Sequence, residues 1–490
     1  MLPSPDDALL DEVRRRLEEL TPTQLDGVAR SFADAVRDEG LHVLKGGDEG
    51  GALTRVAIPP LLTPVLPDRD AAPAAKKLLA GVVQVARALF ENRIPTPPGL
   101  FNGLTPFEDA TIRATWKSAE RVASSRVDYL HDADGRLQAL EVNATIPAMQ
   151  AYSDIAASGW VRFVAPALGA KPEAIPAALA ALPSNVDDLR RTLLAASSEN
   201  GRPSPKRVGI LARANDSQDG ELSAIAARFA DAGLEPVRVT PETFWATKKL
   251  DLIYRHLFAR RIPAGDRLEM VFADAKGNNL WNPVNGHLEI KGMLALLSTC
   301  GADTALAAKA GIDEGILDTV RRVVPWTRLL LAGPSIGPDG STLTDLPAFV
   351  AANPAAVILK RSWDYGGRSV FLVEDFAEGA ASTARIEAAT GRPLASWAEL
   401  VTFATTDPTG DWIVQSRVRP KKRMHLRVAD GRAEWGELVT DVSAFTAHGG
   451  TFSPSGLTAR AAGGLVVNIV SGGGMAPILP PYVLRRLLER

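Results

Sequence analysis

The sequence is poor in cysteine and carries almost no net charge. Cys300 is the single cysteine among 490 residues, which excludes an intramolecular disulfide and a zinc cluster built from cysteines. Lys and Arg number 55 against 57 Asp and Glu, which gives a formal charge of −2. No overall field therefore favours nucleic acid or an anionic membrane surface. The six histidines are scattered along the chain without the spacing of a metal site.

Long apolar runs and nucleotide signatures are also absent. No stretch reaches the roughly 18 uncharged apolar residues of a membrane span, and residues 1–20 lack the apolar core of a signal peptide. The sequence contains neither a Walker motif nor a Gly-x-Gly-x-x-Gly dinucleotide motif. The densest basic stretch, 417–427, has no interleaved aromatic residues, which favours a solvated loop over a nucleic-acid patch. We expect a cytoplasmic protein that binds neither nucleic acid nor a membrane.

The length of the chain and its mixture of helical and strand-like segments predict a mixed α/β protein with more than one core. Apolar residues make up 46% and charged residues 23%, which is ordinary for a globular protein, and 490 residues are too many for one core. Residues 1–115 have helical periodicity. Residues 207–254 alternate short apolar strands with a helix, which predicts a parallel sheet. From about residue 345 strands and hairpins follow, with a turn at Asp430-Gly431.

Residues 126–143 carry the most informative pattern, because two short strands flank a turn at 132–135. Asp128 stands on the outgoing strand. Glu141 and Asn143 stand two residues apart on the returning strand and face the same side. Two carboxylates and an amide oxygen form a hard, all-oxygen set that suits Mg²⁺, with substrate phosphates completing its shell. A polar surface hairpin is the alternative interpretation of the same residues.

Two later segments have the composition of phosphate-binding loops. Lys360 ends an apolar strand and is followed by Gly366-Gly367, whose backbone N–H groups could approach an anion closely. A lone lysine on a strand is also a common surface charge. Arg460 precedes the glycine run 472–474, which is typical either of a loop that closes over a ligand or of a flexible turn.

Taken together, these segments resemble the circularly permuted ATP-grasp proteins, which include the glutathionylspermidine synthetase-like ligases. The resemblance is carried by Arg126-Val127-Asp128, Glu141-Val142-Asn143, Asp251-Leu252-Ile253-Tyr254-Arg255, Lys291-Gly292-Met293, Lys360, Trp412-Ile413-Val414-Gln415 and Gly456-Leu457-Thr458-Ala459-Arg460. It covers roughly residues 120–160 and 205–480. The Glu-x-Asn element stands before the Lys360 strand, whereas in unpermuted ATP-grasp enzymes it comes late in the chain. This order marks the permutation.

The resemblance implies a circularly permuted ATP-grasp fold with a Rossmann-like β-α-β domain, and it implies ATP and Mg²⁺ as cofactors. The metal ligands would be Asp128, Glu141 and Asn143, and the catalytic residues would be Arg126 and Arg460. The nucleotide contacts would be Lys291, Lys360, Gly366, Gly367, Gln415 and Val418. At strand ends or just after them, where open α/β sheets place ligands, stand the candidate substrate residues Arg213, Asn215, Asp216 and Arg255.

The resemblance and the composition together divide the chain into five parts. They are a helical N-terminal region (1–115), a permuted ATP-grasp segment with the metal ligands (116–165), a helical linker region (166–204), an α/β domain (205–300) and the nucleotide-binding subdomains (301–490). The polar, proline-containing stretch 197–206 marks the clearest boundary.

The activity that the resemblance implies is ATP-dependent ligation of a carboxylate to an amine. A substrate carboxylate would attack the γ-phosphate of ATP, and an amine would displace phosphate from the acyl phosphate to form an amide. The partners would then be two small molecules, and the arginines at the strand ends suit an acidic or peptide-like one such as an amino acid. Two alternatives stay open: a non-catalytic ATP-binding protein of the same fold, and a small-molecule kinase.

Overall fold

A computed structural model of the chain describes residues 6–46, 52–119, 124–364, 367, 369–377, 382–408, 412–464, 467 and 473–489, apart from the side chains of residues 118, 119, 275 and 276. Its strands are β1 (His42–Lys45), β2 (Thr54–Ala57), β3 (Ser125–His131), β4 (Leu137–Asn143), β5 (Arg207–Leu211), β6 (Glu235–Val239), β7 (Leu252–Arg255), β8 (Leu280–Trp281), β9 (Thr327–Leu329), β10 (Ser335–Ile336), β11 (Thr342–Leu343), β12 (Val357–Arg361), β13 (Val370–Phe371), β14 (Trp412–Ser416), β15 (Lys422–Ala429), β16 (Arg432–Thr446), β17 (Leu457–Ala462) and β18 (Gly474–Ala476).

The helices surround these strands along most of the chain. They are α1 (Asp7–Glu18), α2 (Pro22–Asp38), α3 (Ala71–Phe90), α4 (Pro106–Ala119), α5 (Gln150–Gly159), α6 (Ala174–Ala180), α7 (Asn185–Glu199), α8 (Asp219–Asp231), α9 (Pro241–Phe244), α10 (Leu268–Ala273), α11 (Ala275–Asn278), α12 (Gly286–Glu289), α13 (Lys291–Ala302), α14 (Thr304–Ala310), α15 (Glu314–Val323), α16 (Leu346–Ala352), α17 (Thr383–Thr390), α18 (Trp397–Thr406) and α19 (Pro481–Leu488). The predicted α/β class is confirmed.

The largest sheet has six strands and joins distant parts of the chain. Its order is β18-β17-β16-β3-β4, and β15 pairs with residues 432–439 of β16. All of its strand pairs are antiparallel. β3 and β4 span residues 125–143, whereas the other four strands lie between residues 422 and 476. The early hairpin therefore completes a sheet that is otherwise built from the end of the chain.

Two turns in this sheet confirm the predicted hairpins. The Gly135 N–H donates to the Asp132 carbonyl at 2.9 Å, and Gly135 has a φ of 81°, a region that favours glycine. Asp430 and Gly431 both have positive φ, 47° and 73°. Positive φ at both central residues matches the right-handed twist of the flanking strands in a tight hairpin.

The predicted β-α-β segment forms a parallel sheet with the order β6-β5-β7-β8. Helix α8 connects β5 to β6 and buries Leu222, Ile225 and Phe229, which recur at helical spacing. The parallel arrangement is confirmed. It brings the loops after β5 and β7 to the carboxyl edge of this sheet.

A third sheet contains the Lys360 strand and has the antiparallel order β13-β12-β14-β9. Leu359, Trp412 and Val414 enter a core shared with α16 and α18. Because side chains alternate along a strand, Lys360 and Gln415 point to the opposite face. Packing of the apolar face thus determines where the two predicted nucleotide contacts point.

Helices α3 and α13 supply a core that contacts the β3–β4 hairpin. Leu78 and Val82 of α3 and Leu294 of α13 are buried in one cluster with Val127 and Val142. Helix α13 begins at Lys291, one of the predicted nucleotide contacts. The start of α13 is therefore held against the strands that carry the predicted metal ligands.

The N-terminal region is not entirely helical, so that part of the prediction is wrong. β1 and β2 form an antiparallel pair in which His42 lies opposite Ala57. Four-residue strands are too short for their pattern to stand out in a sequence. Of the predicted late strand and glycine run, residues 465, 466 and 468–472 lie outside the described residues. Within the described part of the chain, no helix has the length and apolar character needed to cross a membrane.

Trp160 is fully buried in the core of the N-terminal helices, and its indole Nε1 donates to the Leu62 carbonyl at 2.6 Å. We expect Trp160→Ala to lower the free energy of unfolding by about 3–5 kcal/mol, because it leaves a cavity and an unpaired carbonyl. Trp245 is 42% exposed, and Trp245→Ala should change the free energy of unfolding by less than about 1 kcal/mol. Urea unfolding monitored by circular dichroism measures both, and equal losses would contradict the assignment of Trp160 to the core.

Candidate functional site

One face of the six-stranded sheet gathers the predicted metal ligands and both predicted catalytic arginines. Asp128 lies opposite Glu141, and Arg126 lies opposite Asn143, across the β3–β4 pair. Directly opposed side chains of antiparallel strands point to the same side. Arg460 on β17 shares this side, because its partner on β16 is Asp441, two residues from Ser443, which is the β16 partner of Asp128. The structure brings these five residues together.

A buried network of ion pairs holds the two arginines. Arg126 donates to both carboxylate oxygens of Asp128, from Nε to Oδ1 at 2.6 Å and from Nη2 to Oδ2 at 2.9 Å. Arg460 Nη2 donates to Asp128 Oδ2 at 3.3 Å, and Arg460 also donates to both oxygens of Asp441. None of the four side chains is more than 13% exposed. Two acids and two arginines therefore balance their charges away from water.

Burial and the arginines act in opposite directions on the two aspartates. Burial raises the pKa of Asp128, but Arg126 and Arg460 outweigh it and lower that pKa to about 2. For Asp441 burial is the stronger effect, and the pKa stays raised despite Arg460. Asp128 is therefore ionised at neutral pH, with both of its oxygens already accepting hydrogen bonds from guanidinium groups.

Lys360 lies beside Gln415 of β14 and contacts the β3–β4 hairpin. Its Nζ donates to Gln415 Oε1 at 2.8 Å and to the Leu140 carbonyl at 3.3 Å. Leu140 is the extra residue of a bulge, since Glu141 and Ala139 have neighbouring partners on β3. Burial lowers the pKa of Lys360 to about 8. A buried lysine with a depressed pKa gains stability from any anion placed next to it.

Lys291 joins the start of α13 to the loop after β12. Its Nζ lies 3.3 Å from Glu141 Oε2 and also donates to the Asp364 carbonyl. The backbone N–H of Lys291 donates to the Ser362 carbonyl at 3.3 Å, and the N–H of Gly292 donates to Ser362 Oγ at 2.8 Å. The Lys291 ammonium group therefore joins three elements: the loop after β12, the start of helix α13, and strand β4 with the predicted metal ligand Glu141.

Part of this site borders a cleft with about 400 Å³ of free space, some of it open solvent. Glu141, Asn143 and Lys291 line it together with side chains that the sequence did not reveal as site residues: Phe258, Arg260, Glu289, Ser362, Trp363 and Asp364. Two of these had a usable signal, because Asp364 follows Lys360 by four residues and Glu289 precedes Lys291 by two. Arg260, Trp363 and Phe258 had none, because only the tertiary fold brings them to the cleft.

The side chains around the cleft have the chemistry of a magnesium site. Glu141 and Asp364 offer carboxylates and Asn143 an amide oxygen, which are ligand types that Mg²⁺ takes. Asn143 Nδ2 is buried without a hydrogen-bond partner, so this amide is not committed to the protein. Among the described residues, no group of three His, Cys, Asp or Glu side chains is placed to hold a metal. An ion here would therefore depend on the amide and on substrate oxygens.

Arg255 lies away from the cleft, in a fully buried position. Its Nε donates to the Asn282 carbonyl at 2.7 Å and its Nη2 to the Pro283 carbonyl at 2.7 Å, while Nη1 donates to the Leu257 carbonyl. These bonds join the segments that follow β7 and β8. A substrate contact from Arg255 would require the guanidinium to leave three carbonyl partners.

The other predicted substrate residues lie on the loop after β5. Asn215 is exposed with a φ of 58°, and Asp216 is buried, with Oδ1 accepting the Gln218 N–H at 2.9 Å. Arg213 Nε lies 3.5 Å from Asp216 Oδ2. These three residues are not among the side chains that line the cleft.

The remaining predicted nucleotide contacts are loop residues. Gly367 has a φ of 72° in the loop after Lys360, where a side chain would be strained. Val418 follows β14 and is half-buried. Gly366 lies outside the described residues.

A buried glutamate supports the segment behind Arg126. Arg126 Nη1 donates to the Ala148 carbonyl at 2.7 Å. Glu221 Oε1 accepts the N–H groups of Met149 and Ala151 at 2.6 and 3.4 Å, while its Oε2 has no hydrogen-bond partner. Burial raises the pKa of Glu221 to about 7. Helix α8 therefore holds, through one carboxyl group, the chain that contacts Arg126.

Comparison with known proteins places the fold. No protein-family model and no curated protein matches the chain. The structure is similar to a glutathione synthetase-like effector from Globodera pallida in its apo form, with a TM-score of 0.58 and 12% identity, over 94% of this chain and 98% of that one. A structure described as "Putative gamma-glutamylcysteine synthetase" from Methylobacillus flagellatus KT matches 87% of this chain and 96% of its own at 12% identity, with a TM-score of only 0.39. The chain has the mixed α/β fold of a glutathione synthetase-like protein.

Glu221→Gln should stabilise the protein increasingly as pH rises from about 4.5 to about 7. In this window the folded protein keeps a proton on Glu221 that the unfolded chain has lost, so the free energy of unfolding of the unsubstituted protein falls with rising pH. Glutamine keeps the acceptor for Met149 and cannot ionise. Thermal unfolding midpoints across this window measure the effect, with Glu235→Gln on the exposed start of β6 as the control. A constant difference between Glu221→Gln and the unsubstituted protein would contradict it.

Proposed function

We propose that the protein is an ATP-dependent carboxylate–amine ligase that works through an acyl phosphate. The observation that carries the proposal is the placement of Glu141, Asn143, Lys291 and Asp364 around one cleft. A buried Lys360–Gln415 pair lies next to them. The likeness to a glutathione synthetase-like structure supports the fold that this assignment needs.

The proposal includes a circular permutation of the ATP-grasp fold. In support of it, β3 and β4 pair into a sheet whose other strands come from the last 70 or so residues described. The loop between β12 and β13 and the start of α13, by contrast, lie between these two parts of the chain. Glu141 and Asn143, which would hold the metal, thus precede Lys291 and Lys360, which would hold phosphate.

The lysines are suited to the phosphates of a nucleotide. Lys291 and Lys360 influence each other electrostatically, and Lys291 is within 3.3 Å of Glu141. Phosphoryl transfer depends on such positive charge around the transferred group, because charge spreads over its oxygens in the transition state. Gln415 of β14 lies opposite Ile358 of β12 and beside Lys360, and we assign the base of the nucleotide to the chain that follows, at Val418.

Glu141, Asn143 and Asp364 would hold Mg²⁺ at the cleft, with Asp128 behind Glu141. A bound ion would supply positive charge that offsets the negative charge of the nucleotide phosphates. Arg126 and Arg460 contribute fixed positive charge on the same face of the sheet and stabilise the negative charge that develops in transfer. Their bonds to Asp128 and Asp441 keep them from rotating away.

The reaction would then proceed in two displacements. A carboxylate oxygen of the first substrate attacks the γ-phosphorus of ATP, the bond to the β-phosphate oxygen breaks, and ADP leaves. The amine nitrogen of the second substrate attacks the acyl carbon, inorganic phosphate leaves, and the nitrogen gives up a proton as the amide forms. No nucleophile from the protein takes part. The partners are accordingly two small molecules, one of them a carboxylate such as an amino acid or peptide.

Glu141→Gln and Lys291→Met should each lower amine-dependent ADP release by at least about 100-fold, because each removes a charge that acts on the transferred phosphate. A coupled assay for ADP over a panel of amino acids and polyamines measures this. Lys309→Met, an exposed lysine on α14, is the matched control. Unchanged turnover in both site variants would exclude the assignment.

The same assay separates the ligase from its alternatives. With hydroxylamine as the amine, a ligase forms an acyl hydroxamate from the carboxylate substrate. A small-molecule kinase releases ADP without hydroxamate and yields a stable phosphorylated product. Mg-ATP binding in calorimetry without any ADP release across the panel would indicate a non-catalytic nucleotide-binding protein.

Affinity for Mg-ATP should fall as pH rises above about 8, the pKa to which burial lowers Lys360. Above that pH the free protein holds a neutral Lys360, so binding of phosphate must take up a proton, and the dissociation constant should rise by up to about tenfold per pH unit. Isothermal titration calorimetry in buffers of different ionisation enthalpy measures both the affinity and the proton uptake. Lys360→Met should bind weakly with no such pH dependence, whereas an identical pH profile in that variant would contradict the role of Lys360.

A further inference from the structure

Three buried side-chain N–H donors of cleft-lining residues have no acceptor among the residues that the structure describes. They are Asn143 Nδ2, Arg260 Nε and Trp363 Nε1, all of them buried atoms. A buried donor without an acceptor is unfavourable, and native proteins contain few of them. Three such donors around a single cleft indicate that a ligand with acceptor oxygens completes them.

Arg260 is held in place without being neutralised by a hydrogen-bonded partner. Its guanidinium lies over the Trp363 ring at 4.6 Å from the centroid. Its Nε is 3.5 Å from Glu108 Oε1, which is too long for a hydrogen bond with good geometry. The other oxygen of Glu108 accepts from the Thr105 N–H at 3.0 Å. The arginine is thus oriented by its neighbours while its Nε remains available.

The Trp363 ring also packs closely against the backbone of two glycines. A Cβ added to Gly103 would lie 2.0 Å from Trp363 Cδ1 and 2.4 Å from Nε1, and one added to Gly286 would lie 3.6 Å from Cζ3. The indole therefore rests directly on glycine backbone. This close approach holds the orientation of the indole N–H at the cleft.

The acidic groups at the cleft already have partners of their own. Glu289 Oε2 accepts the N–H groups of Ala144 and Thr145 at 3.1 and 2.6 Å, and Glu141 pairs with Lys291. Asp364 accepts from the Ser369 hydroxyl. The donors on the Arg260 side are left for an external group.

We propose that Arg260 and Trp363, with the Asn143 amide N–H, form the subsite that binds the carboxylate of the first substrate. The inference rests on the proposed ligase function and adds to it the residues that recognise the acid. The two oxygens of a carboxylate can accept hydrogen bonds from Arg260 Nε and Trp363 Nε1. Hydrogen bonds to a charged acceptor are the strongest of this kind. Asn143 lines the cleft with Arg260 and Glu141, so its amide oxygen is assigned to the metal and its Nδ2, which has no acceptor among the described residues, to the carboxylate.

The test follows the Trp363 indole N–H by NMR in the full-length protein with isotope-labelled tryptophan, assigned through Trp363→Phe. Sodium acetate and L-glutamate serve as carboxylate probes, with sodium chloride at equal ionic strength as the reference. We expect the Trp363 signal to shift in a saturable way with both carboxylates and not with chloride. A signal that stays still, or that moves equally with chloride, would overturn the proposal and leave bound water as the partner of these donors.

Arg260→Gln should weaken acetate and L-glutamate binding by about tenfold or more, the loss expected for one charge-assisted hydrogen bond. Arg261→Gln, an exposed neighbour outside the cleft lining, should leave binding unchanged. Gly103→Ala alters no charge and displaces the indole, so it should also abolish the shift. Retained binding in both Arg260→Gln and Gly103→Ala would contradict the subsite.

Mg-ATP titration of the same variants distinguishes this inference from the proposed function. Arg260→Gln should bind Mg-ATP like the unsubstituted protein, because the proposed phosphate contacts are Lys291 and Lys360. If the unsubstituted protein binds Mg-ATP and the Trp363 indole signal does not respond to carboxylates, the proposed carboxylate subsite is wrong and the nucleotide site stands. If Trp363 responds to carboxylates in a protein that does not bind Mg-ATP, the subsite stands and the ligase assignment fails.

Discussion

The position of the Asp128 carboxylate between Arg126 and Arg460 is the interaction on which the rest of the site depends. The two arginines belong to strands far apart in the chain, and they meet on an acid that is 4% exposed. Removal of one member of such a group leaves a buried charge without a partner, which is strongly destabilising. The ion pairs therefore hold the β3–β4 hairpin in the sheet whose other strands, β15 to β18, come from the end of the chain. The direction in which Glu141 and Asn143 point follows from that register.

An anion bound in the cleft would stabilise the positively charged side chains around it. Lys360 is buried deeply enough for its pKa to fall to about 8, and the Nε of Arg260 has no hydrogen-bonded acceptor. Both groups lose solvation on folding, and their partners in the protein, such as Gln415 for Lys360 and Glu108 for Arg260, compensate for this only in part. Binding energy can thus come from relief of this cost, with the positions of the groups already set by β12, α13 and the loops beside them.

Much of the framework was predictable from local pattern. The hairpins at 132–135 and Asp430-Gly431 and the parallel β-α-β unit all depend on neighbours in sequence, and all are confirmed. The hydrogen bond between Lys360 and Gln415 was not predicted, although the family resemblance implied both residues as nucleotide contacts. The short β1–β2 pair was missed because four residues carry too little periodicity.

The sequence by itself determined which segments become strands, helices and turns, because hydrophobic period and turn residues act over a few positions. It also identified Asp128, Glu141 and Asn143 as an oxygen-rich hairpin. Only the tertiary structure decided which polar residues face the cleft. Arg255 and Arg260 are five residues apart, yet the first is enclosed by carbonyls and the second lines the cleft. Burial and charge environment are set by contacts between distant segments, and local pattern carries no record of them.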